Sequence, residues 1–305
     1  MASPFVAGAS ALLLEKFGKN PAVARNARTL FQTTALAIPS DKTNDSPFQT
    51  LTQQGAGLIN VYNALNFGTS LSPGELLLND TAHFTGPKVI TLRNGYDQAQ
   101  WYTIRHVPAG TALTIGEDGV QPSPGPVPLT TDYASVTIIP SRIKLSPHET
   151  AQIFVTITPP KTGNRAQFPV YSGFIQVQGS LGETLQSSYL GLNANASELK
   201  IIDTTNFYFP FQTPALLDPK GNVQKPGQSY TLQGGDAPTL LYRLAFGTAA
   251  LYVDLVPSDT TFIPTISKRK NVRDAGTFAQ VPIIGQLAEV DYVPRSTNGP
   301  CTSLS

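Results

Sequence analysis

The chain has 305 residues, a formal net charge of +1 and 13% charged residues. Near-neutrality argues against a general nucleic-acid or anionic-membrane binder, and the length predicts two or three domains. The 26 prolines and 25 glycines favour short strands joined by turns over long solvated helices. A single cysteine, Cys301, excludes an internal disulfide and a two-cysteine metal site. No apolar run approaches the ~18 residues that a membrane-spanning helix needs.

The chain opens on Met1-Ala2-Ser3-Pro4-Phe5-Val6-Ala7-Gly8, and the apolar pattern continues to Phe17. Phe5, Leu12, Leu13 and Phe17 recur at helical spacing, with Val6 and Ala9 on the same side. Pro4 suits a first helical turn, where a missing N–H costs nothing. Gly8 lowers helix propensity, so it marks an expected close backbone approach. The prediction is a buried helix. The stretch Phe5 to Leu14 lacks the basic leader of a secretory signal.

Asn20-Pro21 reads as an N-cap followed by proline at the first helical position, and Val23, Ala27, Leu30 and Phe31 extend a second amphipathic helix to about Thr33. Ile38 to Thr52 is polar and turn-like. Gly55-Ala56-Gly57-Leu58-Ile59-Asn60 then leads into a third helix. Three helices alone make a poor autonomous core.

From Leu71 to about Asp203 the hydrophobic period switches to two. Glu75–Leu78, Lys88–Leu92, Trp101–Ile104, Ser135–Ile139, Ala151–Thr158, Tyr171–Gln178 and Thr184–Leu192 read as strands. About seven strands in ~130 residues, with Gly, Pro and Asn between them, fit an antiparallel sandwich. Beyond Thr204, strand-like runs recur at Tyr230–Leu232, Thr239–Phe246 and Leu251–Val256, then at Ile284–Leu287 and Tyr292–Arg295. This last region reads as a partial second sandwich with an irregular tail, whose unpaired edges predict low stability.

Two motifs carry a family resemblance. Met1-Ala2-Ser3-Pro4, then Val6-Ala7-Gly8, resembles the segment that follows the nucleophilic serine in subtilisin-like serine proteases, where the motif reads Gly-Thr-Ser-Met-Ala-(Ser/Thr)-Pro. Gly55 to Asn60 resembles the Gly-Ala-Gly-Leu-(Val/Ile)-Asn segment that closes the catalytic domain in larger subtilases. Phe84–Leu92, Trp101–Ala109 and Phe168–Phe174 resemble the fibronectin-III-like domain of C5a-peptidase-like subtilases. Thr239–Gly247, Ile284–Leu287 and Tyr292–Arg295 resemble the next module of fungal members. The resemblance implies residues 1–66 as the end of a catalytic domain, 67–203 as a fibronectin-III-like sandwich and 204–305 as a partial second module. The expected fold class is α + β multidomain, a helical remnant of an α/β catalytic domain followed by antiparallel sandwiches.

The function implied is a portion of a secreted or cell-wall serine endopeptidase acting on proteins and peptides. By the resemblance the nucleophile precedes Met1, and the family's Asp, His and oxyanion-hole Asn fall further upstream. No catalytic residue is therefore assigned in this chain, which is expected to be inert alone. No cofactor, metal, nucleic acid or membrane span is expected. Met1 is the only methionine, so a start placed at the first available Met codon fits the pattern. The competing reading is a non-catalytic β-sandwich binding or adhesion protein, which leaves both motifs unexplained.

The remaining chemistry is sparse. His83, His106 and His148 are the only histidines, and none has a helical partner at four-residue spacing for zinc. No Gly-x-Ser-x-Gly elbow is present. Asn79-Asp80-Thr81 and Asn195-Ala196-Ser197 are glycosylation sequons, and Asn44-Asp45-Ser46, before Pro47, is a weaker one. Lys268-Arg269-Lys270 with Arg273 reads as a solvated loop, with a nuclear signal or a dibasic cleavage site as alternatives.

Overall fold

A computed structural model describes residues 2–43, 46–85, 87–117, 119–261, 277–278, 281–296 and 303–304. Met1, the Asn44 sequon, the Lys268–Arg273 cluster and Cys301 lie outside the described residues. The chain divides into two compact units, Met1–Glu198 and Leu199–Ser305. No helix among the described residues is long and apolar enough to cross a membrane.

The first unit begins with four helices: α1 (Ala2–Phe17), α2 (Pro21–Thr34), α3 (Leu51–Gln54) and α4 (Val61–Asn66). Local chemistry sets their ends. The Asn20 side chain accepts from the backbone N–H groups of Ala22 and Val23 at 3.0 and 3.1 Å, and Pro21 opens α2. The Asn60 side chain accepts from Asn63 N–H at 2.9 Å to start α4. The stretch from Ile38 to Thr52, expected to be turns, instead forms two isolated bridges, Pro39 to Phe48 and Phe48 to Ala109, and leads into α3.

Ten strands follow. One sheet is antiparallel, in the order β1 (Ser70–Ser72), β3 (Lys88–Arg93), β8 (Thr150–Thr158), β6 (Ser135–Ile139). The other runs β2 (Glu75–Leu77), β10 (Thr184–Leu192), β9 (Val170–Gly179), β4 (Gln100–Ala112), β5 (Leu129–Thr130), with β7 (Arg142–Leu145) also paired to β4. The expectation of an all-antiparallel arrangement needs one correction: β2 runs parallel to β10, with Tyr189 opposite Leu76. The two sheets close on one core. Ile90, Leu92, Ile153, Val155 and Ile157 from the first sheet meet Tyr102, Ile104, Ile175, Val177, Leu185 and Tyr189 from the second. Strand β8 buries alternate residues, as a one-sided strand should.

Strands β9 and β10 do not alternate, because both of their faces are covered. Their outer face meets the helical segment. Phe174 packs with Leu51 and Ala109, with Ala37, Phe48, Val107 and Leu190 around them. Phe48 and Phe174 meet edge to face, with centroids 6.3 Å apart. The order of layers is therefore helical segment, six-stranded sheet, four-stranded sheet. The weak three-helix core foreseen from sequence is supplemented by a sheet.

Among its described residues the second unit holds three small sheets: β11 (Ala215–Leu217), β12 (Thr239–Leu241) and β17 (Ser303–Leu304); β13 (Thr248–Leu255) with β16 (Gly285–Val293); and β14 (Thr277–Phe278) with β15 (Val281–Pro282). Tyr230–Leu232 is not a strand. The Thr231 N–H and hydroxyl both donate to the Asp236 carboxylate, at 2.8 and 2.7 Å, which closes a local turn instead.

Candidate functional site

The sequence points to α1 and to the segment Gly55–Asn60, and the structure places them in one helical cluster. Ala9 and Leu13 of α1 are buried with Phe31 of α2 and Ala64 of α4. Ala27, Leu30, Ile59, Val61 and Leu65 pack around them. Lys16 Nζ donates to Asn66 Oδ1 at 3.0 Å, tying the two helix ends. The expected burial of the whole apolar face is corrected here. Phe5 is 56% exposed, and Val6, Leu12 and Phe17 are also exposed. Among the described residues nothing lies within 4 Å of a Cβ built at Gly8, so the expected backbone contact is not made there. A helix that is apolar nearly all round, with charges only at Glu15 and Lys16, ordinarily lies in a core. Among the described residues only one stripe of α1 is covered, and Ala2, Ser3 and Pro4 stand in an exposed first turn.

Gly55–Asn60 is a connector in which every residue has a task. Gly55 ends α3 with a positive φ of 58°. The carbonyl of Ala56 accepts from Gln186 Nε2 of β10 at 2.7 Å. Gly57 has φ 111°, and a Cβ there would lie 2.3 Å from the Leu36 carbonyl oxygen. Leu58 pairs with Leu36 through two backbone hydrogen bonds, 2.9 and 2.8 Å. Ile59 packs beneath α1, and Asn60 caps α4. The connector thus fixes the platform on which α1 rests to the six-stranded sheet. Leu51 N–H also donates to Ser172 Oγ at 3.2 Å, and Arg28 of α2 reaches both oxygens of Glu75 on β2 at 2.8 and 2.9 Å.

Sequence reasoning missed a buried polar joint at the foot of the helices. Gly68 N–H donates to the buried Glu183 carboxylate at 2.8 Å, and the Tyr96 hydroxyl donates to the same oxygen. Thr69 Oγ1 and Tyr102 Oη lie 3.0 Å apart. Burial and the Glu183 carboxylate raise Tyr96 above the ordinary phenol range, so it stays a donor. No sequence signal marks Glu183; its partners lie more than 80 positions away.

The three histidines do not converge. His83 Nδ1 lies 2.8 Å from Asp80 Oδ1, in a loop beside the sandwich. The Ala196 N–H, with the His83 contacts, holds Asp80 below the usual carboxylate range. His148 pairs with Asp97 at 2.9 Å on the surface. His106 stands mid-way along β4, its Nε2 2.7 Å from the Tyr189 hydroxyl. Burial pushes His106 below the ordinary histidine value. No group of three or more His, Cys, Asp or Glu side chains suited to a metal occurs among the described residues.

The two sequons share one end of the sandwich. Asp80 Oδ2, inside the first, accepts from the Ala196 N–H of the second at 2.9 Å. Asn79 is exposed and Asn195 half-buried.

Residues 76–190 match the family model described as Fn3-like domain. This part of the chain is an Fn3-like domain with a β-sandwich fold. No curated protein matches the chain. Among solved structures, the ASH/PapD-like domain of human CEP192 is 14% identical over 42% of this chain and 87% of that one, with a TM-score of 0.32. The E. coli chaperone DraB is 12% identical over 43% of this chain and 56% of its own, with a TM-score of 0.26. The Pseudomonas aeruginosa CupB2 chaperone is 7% identical over 57% and 92%, with a TM-score of 0.27. Likeness at this level identifies neither an activity nor a partner.

Proposed function

We propose that this chain is the C-terminal portion of a secreted subtilisin-like serine endopeptidase, in which α1 is the helix that the nucleophilic serine opens. The uncovered apolar face of α1 is the observation that carries the reading. Phe5, Val6 and Leu12, with Gly8 between them, are shaped for a protein interior and find none in the described residues. The nucleophile-flank residues Ala2, Ser3 and Pro4, which follow Met1 in the sequence, open the same helix. A parallel catalytic sheet packed on that face gives Gly8 its close neighbour. The helical segment is then the end of the catalytic domain, and the Fn3-like sandwich is its brace through Gln186, Ser172 and Glu75.

In this reading the hydrolytic groups belong to upstream sequence, and peptide hydrolysis needs them. Two measurements test it. The genomic reading frame upstream of Met1 is expected to encode Gly-Thr-Ser directly before it, with Asp and His motifs further up. Unrelated sequence there refutes the reading and favours the adhesion alternative. The purified chain is expected to leave casein intact and to resist a fluorophosphonate probe; labelling of any serine in it ends the claim that the chain is inert. Secretion of the parent carries a further expectation of glycans on Asn79 and Asn195, read by glycopeptide mass spectrometry. Bare asparagines at both sites in the secreted protein remove it.

A further inference from the structure

Among the described residues, the helical segment covers part of the outer face of the six-stranded sheet and leaves part exposed. Cover begins at Val107 and Ala109 of β4, under Phe48 and Leu51. The open part presents Trp101, Thr103 and Arg105 of β4, Arg142 and Lys144 of β7, and Gln178 of β9, all exposed. Trp101 lies opposite Lys144, and Thr103 opposite Arg142. The Arg142 guanidinium sits 4.8 Å from the centroid of the Trp101 ring, and Lys144 Nζ lies 5.9 Å from it. Arg105 Nε donates to Gln176 Oε1 at 2.8 Å on the same face. None of the ion pairs among the described residues involves these three cations. A chain of net charge +1 thus gathers three cations and its only tryptophan on one surface, with no carboxylate paired to them among the described residues.

We propose that this surface docks an extended acidic peptide segment, whose carboxylates pair with Arg142, Lys144 and Arg105 across the edge of Trp101. Three arguments select that occupant. Arg142 and Lys144 are alternate residues of one strand, so their backbone positions lie about 7 Å apart. An extended peptide carries side chains i and i+2 on one side at the same pitch, so Glu or Asp at those positions meets both cations together. The accessible approach to the Trp101 ring is already taken by cations, which disfavours stacking of a neutral sugar and favours an anion that bridges them. Finally, three cations match a short acidic segment, whereas nucleic-acid binders typically engage about 6 to 10 phosphates and polybasic membrane sites about 4 to 8 lysines and arginines.

Every residue of the surface lies in this chain, so the test needs no upstream sequence and is separate from the protease reading. Trp101, the sole tryptophan, reports occupancy by its own fluorescence. Titration with an octa-glutamate peptide at low ionic strength is expected to give a saturable change, and an octa-lysine peptide none. Affinity is expected to fall about tenfold or more on raising salt to physiological strength. The double change Arg142→Gln/Lys144→Gln is expected to weaken binding at least about tenfold, and Arg105→Gln less, while the exposed Lys161→Gln leaves it unchanged. A flat titration at low salt overturns the proposal, as does binding that survives the double change. Equal or tighter binding of heparin or of phosphatidylserine vesicles overturns the peptide as occupant.

Discussion

The two units of this chain bury their residues by different means. In Met1–Glu198, a strand such as β9 is covered on both faces, with Ile175 and Val177 on one side and Phe174 on the other, all fully buried. In Leu199–Ser305, β16 is exposed along most of its length, and Leu287 and Tyr292 project into solvent. A cavity of about 480 Å³ lies beside β13, lined by Ile201, Ile202, Ala250, Tyr252 and Ile283. Among its described residues the second unit buries a small cluster of Leu241, Tyr242, Leu244 and Ala245 around an ion pair, Arg243 Nε to Asp203 Oδ2 at 3.3 Å. One unit is held by a layered apolar core. The other, in its described residues, centres on a buried ion pair within a small apolar cluster. Apolar burial scales with area, so the first unit is expected to unfold last and to protect its amides longest. Hydrogen exchange read by mass spectrometry checks this; earlier exchange in β9 than in β13 breaks the comparison.

The largest single effects belong to the layered unit. Phe174→Ala removes a fully buried ring from the joint between the helical segment and the sheet, and is expected to cost about 3–5 kcal/mol. Denaturant midpoints measure it, and a loss below about 1 kcal/mol means that the helical segment does not seal that face. The same truncation at Leu287, which is 68% exposed, is expected to cost under about 0.5 kcal/mol. Gly57→Ala sharpens the first half of the comparison. Its Cβ meets the Leu36 carbonyl at 2.3 Å, and its φ of 111° suits glycine, so a loss above about 2 kcal/mol is expected.

Arg243→Ala probes the second unit. Asp203 also accepts from the N–H and hydroxyl of Thr205 at 2.9 and 2.7 Å, and its own N–H donates to the Arg243 carbonyl at 2.9 Å. Removing the guanidinium takes an ion-pair partner from a buried carboxylate, which typically costs about 3 kcal/mol or more. The surface pair Arg28–Glu75, with side chains 73% and 39% exposed, is the contrast: Arg28→Ala is expected to cost under about 1 kcal/mol. Similar losses for the two substitutions would erase the distinction between the buried and the surface pair.

The parts of this fold that were legible in the sequence are those fixed locally. The alternation of Ile153, Val155 and Ile157 marks β8, and Asn20-Pro21 marks the start of α2. Ser135–Ile139 and Thr184–Leu192 have the limits that their pattern predicts. Strand β4 was readable only to Ile104. Beyond it, Ala109 is buried and Val107 half-buried on the outer face, in the cluster with Phe48 and Leu51, and cover from a distant segment disturbs the alternation. The short strands Ser70–Ser72, Leu129–Thr130 and Arg142–Leu145 were not legible, because pairing rather than pattern makes them strands. At the candidate site the sequence shows that α1 is apolar, but apolarity does not say what covers it. The Glu183 joint and the cation group at Trp101 arise from cross-strand pairing, which a linear pattern does not display.

The smallest predicted effect concerns pH and lies entirely in the layered unit. Burial holds His106 below its ordinary value of 6.5, so in the unfolded chain this imidazole takes up a proton at a higher pH than in the folded one. Where the unfolded state binds more protons, stability falls as pH falls. The contribution of His106 is therefore fully present above about pH 7, and it is lost as the solution is acidified through 6.5 toward the lower folded value. Asp80 also has a depressed value, but its loss begins only near the carboxylate range, around 3.8, which separates the two windows. The change His106→Gln keeps a polar group near the Tyr189 hydroxyl while removing the titration. Its unfolding free energy, from urea titrations, is expected to vary less than that of the parent between pH 7 and 5, by an amount on the order of 1 kcal/mol or less, and to run parallel below that. A parent whose midpoint is flat across that interval would mean that the His106 ring, despite its place in β4 against Tyr189, takes its proton as readily as a solvated histidine.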